Sequence, residues 1–229
     1  MSNKLIVALD FPTAEHALEF IKPLSPKLCK LKVGFELFVA AGPDFVKGLV
    51  DKGYDVFLDL KFHDIPNTVA AACQSAANLG VWMMNVHASG GDKMMTVAKQ
   101  ALADINSDTK LIAVTVLTSM DEAQLVSTNV QVSPQDQVKH LAQLAKKSAL
   151  DGIVCSAQEA EVLRGLLGEE FLLVTPGIRP VGSDQGDQSR VMTPVDANKA
   201  GVSYIVVGRP ITQADDPVAV IEQINRDMT

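Results

Sequence analysis

Short runs of β-branched and aliphatic residues recur at about Leu5–Leu9, Leu28–Val33, Val56–Leu60, Trp82–Val86, Leu111–Val116, Gly152–Cys155, Leu172–Val174 and Tyr204–Val207. They are nearly continuous rather than alternating, which is the pattern of strands buried on both faces. Between them, apolar positions fall at helical spacing over Thr13–Ile21, Asp44–Lys52, Thr68–Asn78, Lys93–Asp104, Pro134–Leu150, Ala157–Leu167 and Pro217–Arg226. A strand-then-helix order kept throughout predicts parallel strands joined by helical crossovers. Eight such units in 229 residues favour a closed (β/α)8 TIM barrel over an open doubly wound sheet. No linker or low-complexity tract interrupts the pattern, so residues 1–229 read as one domain.

Composition narrows the function classes. With 20 Lys+Arg against 27 Asp+Glu the net charge is −7, which excludes a general nucleic-acid binder, since neutralising a phosphate backbone needs a basic stripe. Three widely spaced cysteines, Cys29, Cys73 and Cys155, form no C-x-x-C pair and suit a reducing cytosol. The first residues carry one positive charge and an apolar run too short for a secretory signal, so the chain is expected to be cytoplasmic. From Ile65 to Gly91 there is no Asp, Glu, Lys or Arg, but Pro66, Asn67, Gln74, Asn78, Asn85 and His87 argue against a membrane span. That stretch reads as a buried helix followed by a buried strand.

Barrels of this class build their active sites at the carboxyl ends of the strands. The polar residues falling there are Asp10, Lys32, Asp59 with Lys61 and Asp64, Asn85 with His87, Thr115 with Thr118 and Ser119, Ser156, Thr175 with Arg179, and Gly208 with Arg209. Strand alternation puts Asp59 and Lys61 on one face, with Leu60 and Phe62 toward the helices. A carboxylate and an ammonium at that depth must pair, either as a structural ion pair or as a working one. Asp64, just before Pro66 and a helical run, reads by itself as an N-cap, and His63 as a packing or solvent-facing residue. Arg179, in the long connection Thr175–Pro194, together with Gly208 and Arg209 after the last strand, suits an anion site; Gln188 in the same connection has an amide to add. That connection is the candidate lid. Taken singly, Arg179 also fits a surface salt bridge and Arg209 a helix cap.

The segment DLKFHDIPNTV at 59–69, with Ala8-Leu9-Asp10 near the start and Val207-Gly208-Arg209-Pro210-Ile211-Thr212 near the end, resembles the orotidine 5′-phosphate decarboxylase family in its short bacterial form. The resemblance implies a decarboxylase of orotidine 5′-monophosphate that needs no cofactor and no metal. It makes Asp10 a contact to ribose or base, Lys32 a charged neighbour of the ribose and of Asp59, and Asp59 the residue beside the substrate carboxylate. Lys61 becomes the proton donor. Asp64, with Ile65 and Thr68, is implied to reach into the partner subunit's site in a homodimer. Thr118 and Ser119 match the pyrimidine-recognition segment, and Arg179, Gln188, Gly208 and Arg209 the phosphate and lid contacts. Other readings stay open on the residues alone: a metal-dependent sugar-phosphate enzyme of the same barrel family, against which Lys32 stands where such enzymes carry a metal-binding acid; a Schiff-base aldolase acting through Lys61; and a noncatalytic sugar-phosphate or nucleotide-binding barrel.

Overall fold

Eight parallel strands close in sequence order into a barrel: β1 (Leu5–Ala8), β2 (Lys30–Val33), β3 (Val56–Phe62), β4 (Met83–His87), β5 (Lys110–Val114), β6 (Gly152–Val154), β7 (Leu172–Thr175) and β8 (Tyr204–Val207). β8 returns to β1 with Ile6 opposite Val206, which closes the ring. The computed structural model describes residues 3–180 and 192–229. Around the strands lie α1 (Ala14–Ile21), α2 (Phe35–Asp51), α3 (Pro66–Ala77), α4 (Gly91–Asp104), α5 (Glu122–Ser127), α6 (Pro134–Lys147), α7 (Ala160–Leu167), α8 (Pro194–Lys199), α9 (Arg209–Thr212) and α10 (Pro217–Asp227).

The apolar strand runs are continuous because each strand serves two cores. Along β1, Leu5 and Val7 belong to the layer between strands and helices, while Ile6 and Ala8 join Phe57, Met83, Ile112, Val174 and Val206 in the barrel interior. Polar residues close the amino-terminal end of the barrel. The Lys30 ammonium lies 4.5 Å from the centre of the Trp82 ring, which meets Tyr204 edge-on at 4.9 Å, and Lys30 also pairs with Asp55. The opposite end is left to a different set of side chains.

Several elements differ from the sequence expectation for local reasons. α2 begins at Phe35 rather than Asp44, because Gly42 (φ +72°) and Pro43 kink one long helix, and only its second half carries a readable period. α5 and α9 are one- or two-turn helices within strand-to-helix connections, and α8 is an equally short helix between β7 and β8; all three are too short for a periodic signal. The uncharged stretch is corrected in part. β4 is buried as expected from Met83 to Val86, but α3 buries one face only, through Val69, Cys73, Ala76 and Ala77, and leaves Thr68, Ala71 and Ser75 exposed. The three cysteines are buried and unpaired, and desolvation pushes each thiol up to about 12, which makes them inert packing. Among the described residues no helix is long and apolar enough to cross a membrane.

Candidate active site

The centre of the rim is an irregularity in β3. Phe57 and Leu58 pair with Met83 and Met84, but the next pairing is Phe62 with Val86, so four steps along β3 match two along β4. Residues 59–61 therefore bulge opposite the single residue Asn85. Within the bulge Lys61 adopts φ +46°, a left-handed conformation that costs a residue with a Cβ about 1–3 kcal/mol unless its surroundings hold it. Bulges re-aim side chains at functional sites, and this one brings Lys61 Nζ to 2.7 Å from Asp59 Oδ1. Leu60 and Phe62 pack outward against the helix layer, as the alternation predicts.

Asp59 is the hub of the charges. Lys61 occupies its Oδ1, and Lys32 Nζ lies 3.4 Å from its Oδ2 and 3.2 Å from Asp10 Oδ1. Burial opposes the charged form of Asp59, but Lys32 and Lys61, with hydrogen bonds from Lys61 and Asn85, outweigh it and hold the carboxyl below its ordinary range. Burial likewise opposes the Lys32 ammonium, and the attraction of Asp59 and Asp10 more than compensates, raising its pKa. Gly34 leaves room for that ammonium, since a Cβ there would stand 3.1 Å from Lys32 Nζ. The Lys61 ammonium also lies 5.1 Å from the centre of the Phe35 ring.

The two shifts set a pH window for stability. Asp59, with its folded pKa depressed, contributes stability that is present above the ordinary aspartate value of 3.8 and is lost as pH falls through the lower folded value. Lys32, with its folded pKa raised, contributes below the ordinary lysine value of 10.5 and loses that contribution as pH rises through the higher folded value. The expected result is that Asp59→Asn flattens the acid side of the melting-temperature profile relative to wild type. Parallel profiles for the two proteins down to about pH 3 would show that the depressed carboxyl contributes nothing.

A cavity of about 580 Å³ opens at this end of the barrel. Its wall includes Asp10, Lys32, Asp59, Lys61, Thr118, Arg179, Gly208 and Arg209, so the acid–base cluster and the expected anion residues share one space. Apolar wall comes from Val114, Val116, Leu117, Val154, Val174 and Pro176, giving a flat ring an apolar seat between charged ends. Arg179 is buried; its backbone N–H donates to Met192 O at 3.0 Å, and its guanidinium donates to the Ile178 carbonyl at the same distance. Ser119 is exposed and lies off the cavity wall, as do Asp64, Ile65 and Thr68. Asp64 is not the N-cap its position suggested. The cap of α3 falls on Ile65, and the Asp64 carboxylate accepts the Ile65 N–H at 2.6 Å. Gln188 and residues 181–191 of the candidate lid lie outside the described residues.

Two contributors escaped the sequence reading. Phe35 falls outside every element the periodicity predicts, and Asn85 stands in the sequence only as a polar residue near a strand end. A lone amide inside an otherwise apolar buried strand must find partners, and that was the available signal for Asn85.

Residues 3–224 match the family model described as orotidine 5′-phosphate decarboxylase / HUMPS family. Over 99% of its length the chain is 61% identical to orotidine 5′-phosphate decarboxylase of Pseudoalteromonas translucida, covering 97% of that protein. It is 57% identical to the protein of the same name from Vibrio parahaemolyticus, over 98% of this chain and 97% of the other. The crystal structure of orotidine 5′-phosphate decarboxylase from Lactobacillus acidophilus superposes with a TM-score of 0.89 at 41% identity, covering both chains fully.

Proposed function

The chain belongs to the orotidine 5′-phosphate decarboxylase / HUMPS family, and from that membership we propose how its rim residues convert orotidine 5′-monophosphate to UMP and CO2, the closing step of pyrimidine nucleotide synthesis. One observation carries the assignment: an ammonium and a carboxylate 2.7 Å apart share a cavity with two arginines and an apolar wall. The pyrimidine ring takes the apolar wall beside Thr118. The phosphate lies toward Arg179, Gly208 and Arg209, with Gln188 added from the lid, and the ribose lies near Asp10 and Lys32.

In the reaction the bond from C6 to the carboxylate breaks, CO2 leaves, and the electron pair stays on C6 in the plane of the ring, where no adjacent π system takes it up. Lys61 faces that carbon. Its fixed positive charge stabilises the developing carbanion, and one of its protons then replaces CO2, after which the amine is reprotonated from solvent. Asp59 sits beside the departing carboxylate and, with Lys32, holds the ammonium in place. Binding of the phosphate at this end spends remote binding energy on organising the reacting end.

The protein acts as a homodimer in the cytoplasm, with all 229 residues forming one catalytic domain. Asp64, Ile65 and Thr68 are exposed and off their own cavity wall, which suits residues that complete a neighbour's site. The exposed, uncharged face of α3 and the exposed apolar side chains of Phe35, Val39 and Ile65 supply a surface for that contact.

The experiment follows the orotate chromophore by ultraviolet absorbance when purified protein meets orotidine 5′-monophosphate in EDTA. The chromophore should disappear and UMP accumulate at the rate seen without chelator. Tight binding with no spectral loss would favour the noncatalytic reading, and activity abolished by EDTA and restored by Mg²⁺ would favour the metal-dependent one. Lys32 already stands between Asp10 and Asp59, where a divalent ion would need those carboxylates.

A further inference from the structure

We infer that Asn85 is the positioning residue for the Lys61–Asp59 pair, acting through the backbone of one and the carboxylate of the other without touching substrate. Asn85 is fully buried in β4 and stands behind the cavity wall rather than on it. Its side-chain oxygen accepts the Lys61 backbone N–H at 2.7 Å, and its NH2 group donates to Asp59 Oδ1 at 2.7 Å. The partners fix the amide's orientation, because a backbone N–H only donates and a carboxylate only accepts. Among uncharged side chains of this length, only asparagine presents both an acceptor and a donor.

The register explains why such a group is needed here. Three residues of β3 bulge opposite this one residue, so the bulge forfeits ladder bonds that a regular strand would make. Asn85 supplies a replacement for the Lys61 N–H and thereby helps hold the left-handed φ of +46°. The same side chain fixes the very carboxylate oxygen that Lys61 Nζ contacts at 2.7 Å. Backbone and side chain of the proton donor are thus both referenced to one buried amide. Loss of that reference lets the ammonium and carboxylate drift relative to the reacting carbon, and small displacements of that kind are costly to rate. Arg179, Gly208 and Arg209 sit on other elements and do not depend on the amide.

This inference rests on the decarboxylase reading, and wild-type protein assayed in parallel keeps the two apart: if wild type does not decarboxylate, that reading fails, whereas wild-type activity matched by the variants defeats only the role of Asn85. Two variants are compared. Asn85→Leu removes both hydrogen bonds at similar volume. Asn85→Asp keeps shape and the acceptor for Lys61 N–H but turns the donor facing Asp59 into an acceptor. Both are expected to lower kcat by about 10- to 100-fold, the usual range for groups that orient a functional residue. Affinity for UMP, measured by calorimetry, should change less than about threefold, because the phosphate residues are undisturbed. Wild-type kcat in either folded variant, or losses in kcat and UMP affinity of equal size, would overturn the inference. If Asn85→Leu does not fold, Asn85→Asp decides. If neither folds, the amide is structural and the inference is wrong.

Discussion

Lys61→Ala is expected to lower turnover of orotidine 5′-monophosphate by at least about 10⁴-fold while leaving the barrel folded. The size follows from two roles lost together. A preorganised charge facing a developing anion is worth about 10²–10³ in rate, and general acid catalysis about 10²–10⁴. Folding should survive because Asp59 does not become an orphaned charge. Its Oδ2 keeps Lys32 at 3.4 Å, and its Oδ1 keeps the Asn85 amide at 2.7 Å. Melting curves and UMP binding should therefore stay near wild type while ultraviolet progress curves go flat. Substantial turnover by a folded Lys61→Ala protein would remove Lys61 from the mechanism.

The same variant bears on how the rate is gained. Repulsion between Asp59 and the substrate carboxylate is worth about 4 kcal/mol at 4 Å and an effective dielectric near 20. Barrier reductions by enzymes extend to about 23 kcal/mol, so repulsion is a minor share of a large acceleration. The paired state of Asp59 reduces it further, since both carboxylate oxygens already face lysines. On the proposed mechanism, transition-state stabilisation by Lys61 is therefore the larger contribution.

The barrel itself was legible because its signal is redundant. Runs such as Leu5–Leu9 and Tyr204–Val207 are apolar on both faces, and each error in a boundary leaves the βα order unchanged. Asp59 and Lys61 were legible for the same reason, as charges at the end of such a run. What stayed hidden depends on single dihedrals or on pairing between distant strands. Nothing in the spacing of Asp59 and Lys61 reveals that Lys61 has φ +46° or that Asn85, 24 residues on, caps its N–H. The N-cap reading of Asp64 failed for a similarly local reason: α3 starts at Pro66, so the cap position falls on Ile65. Phe35 was hidden by the Gly42-Pro43 kink, which separates its helical turn from the periodic part of α2.

Mixing an inactive Asp59→Ala protein with an inactive Asp64→Ala protein is expected to restore activity to about a quarter of the wild-type level per dimer. In a two-fold dimer with shared sites, each site takes Asp59 from one chain and Asp64 from the other. Random exchange makes about half the dimers mixed, and each mixed dimer holds one site with both substitutions and one with neither. The exposed positions of Asp64 and Ile65, away from their own cavity wall, are what such an arrangement requires. A carboxylate serving its own chain's site would have little reason to stand exposed and off that wall, accepting the Ile65 N–H. Differently tagged variants allow the mixed dimer to be isolated, and its activity should be about half that of wild type. Subunit exchange demonstrated by the tags, with activity no higher than that of the two parents, would show that Asp59 and Asp64 of one chain serve the same site and would overturn the shared-site arrangement. Restoration would fix the dimer as the working unit, because a site assembled from two chains cannot operate in a monomer.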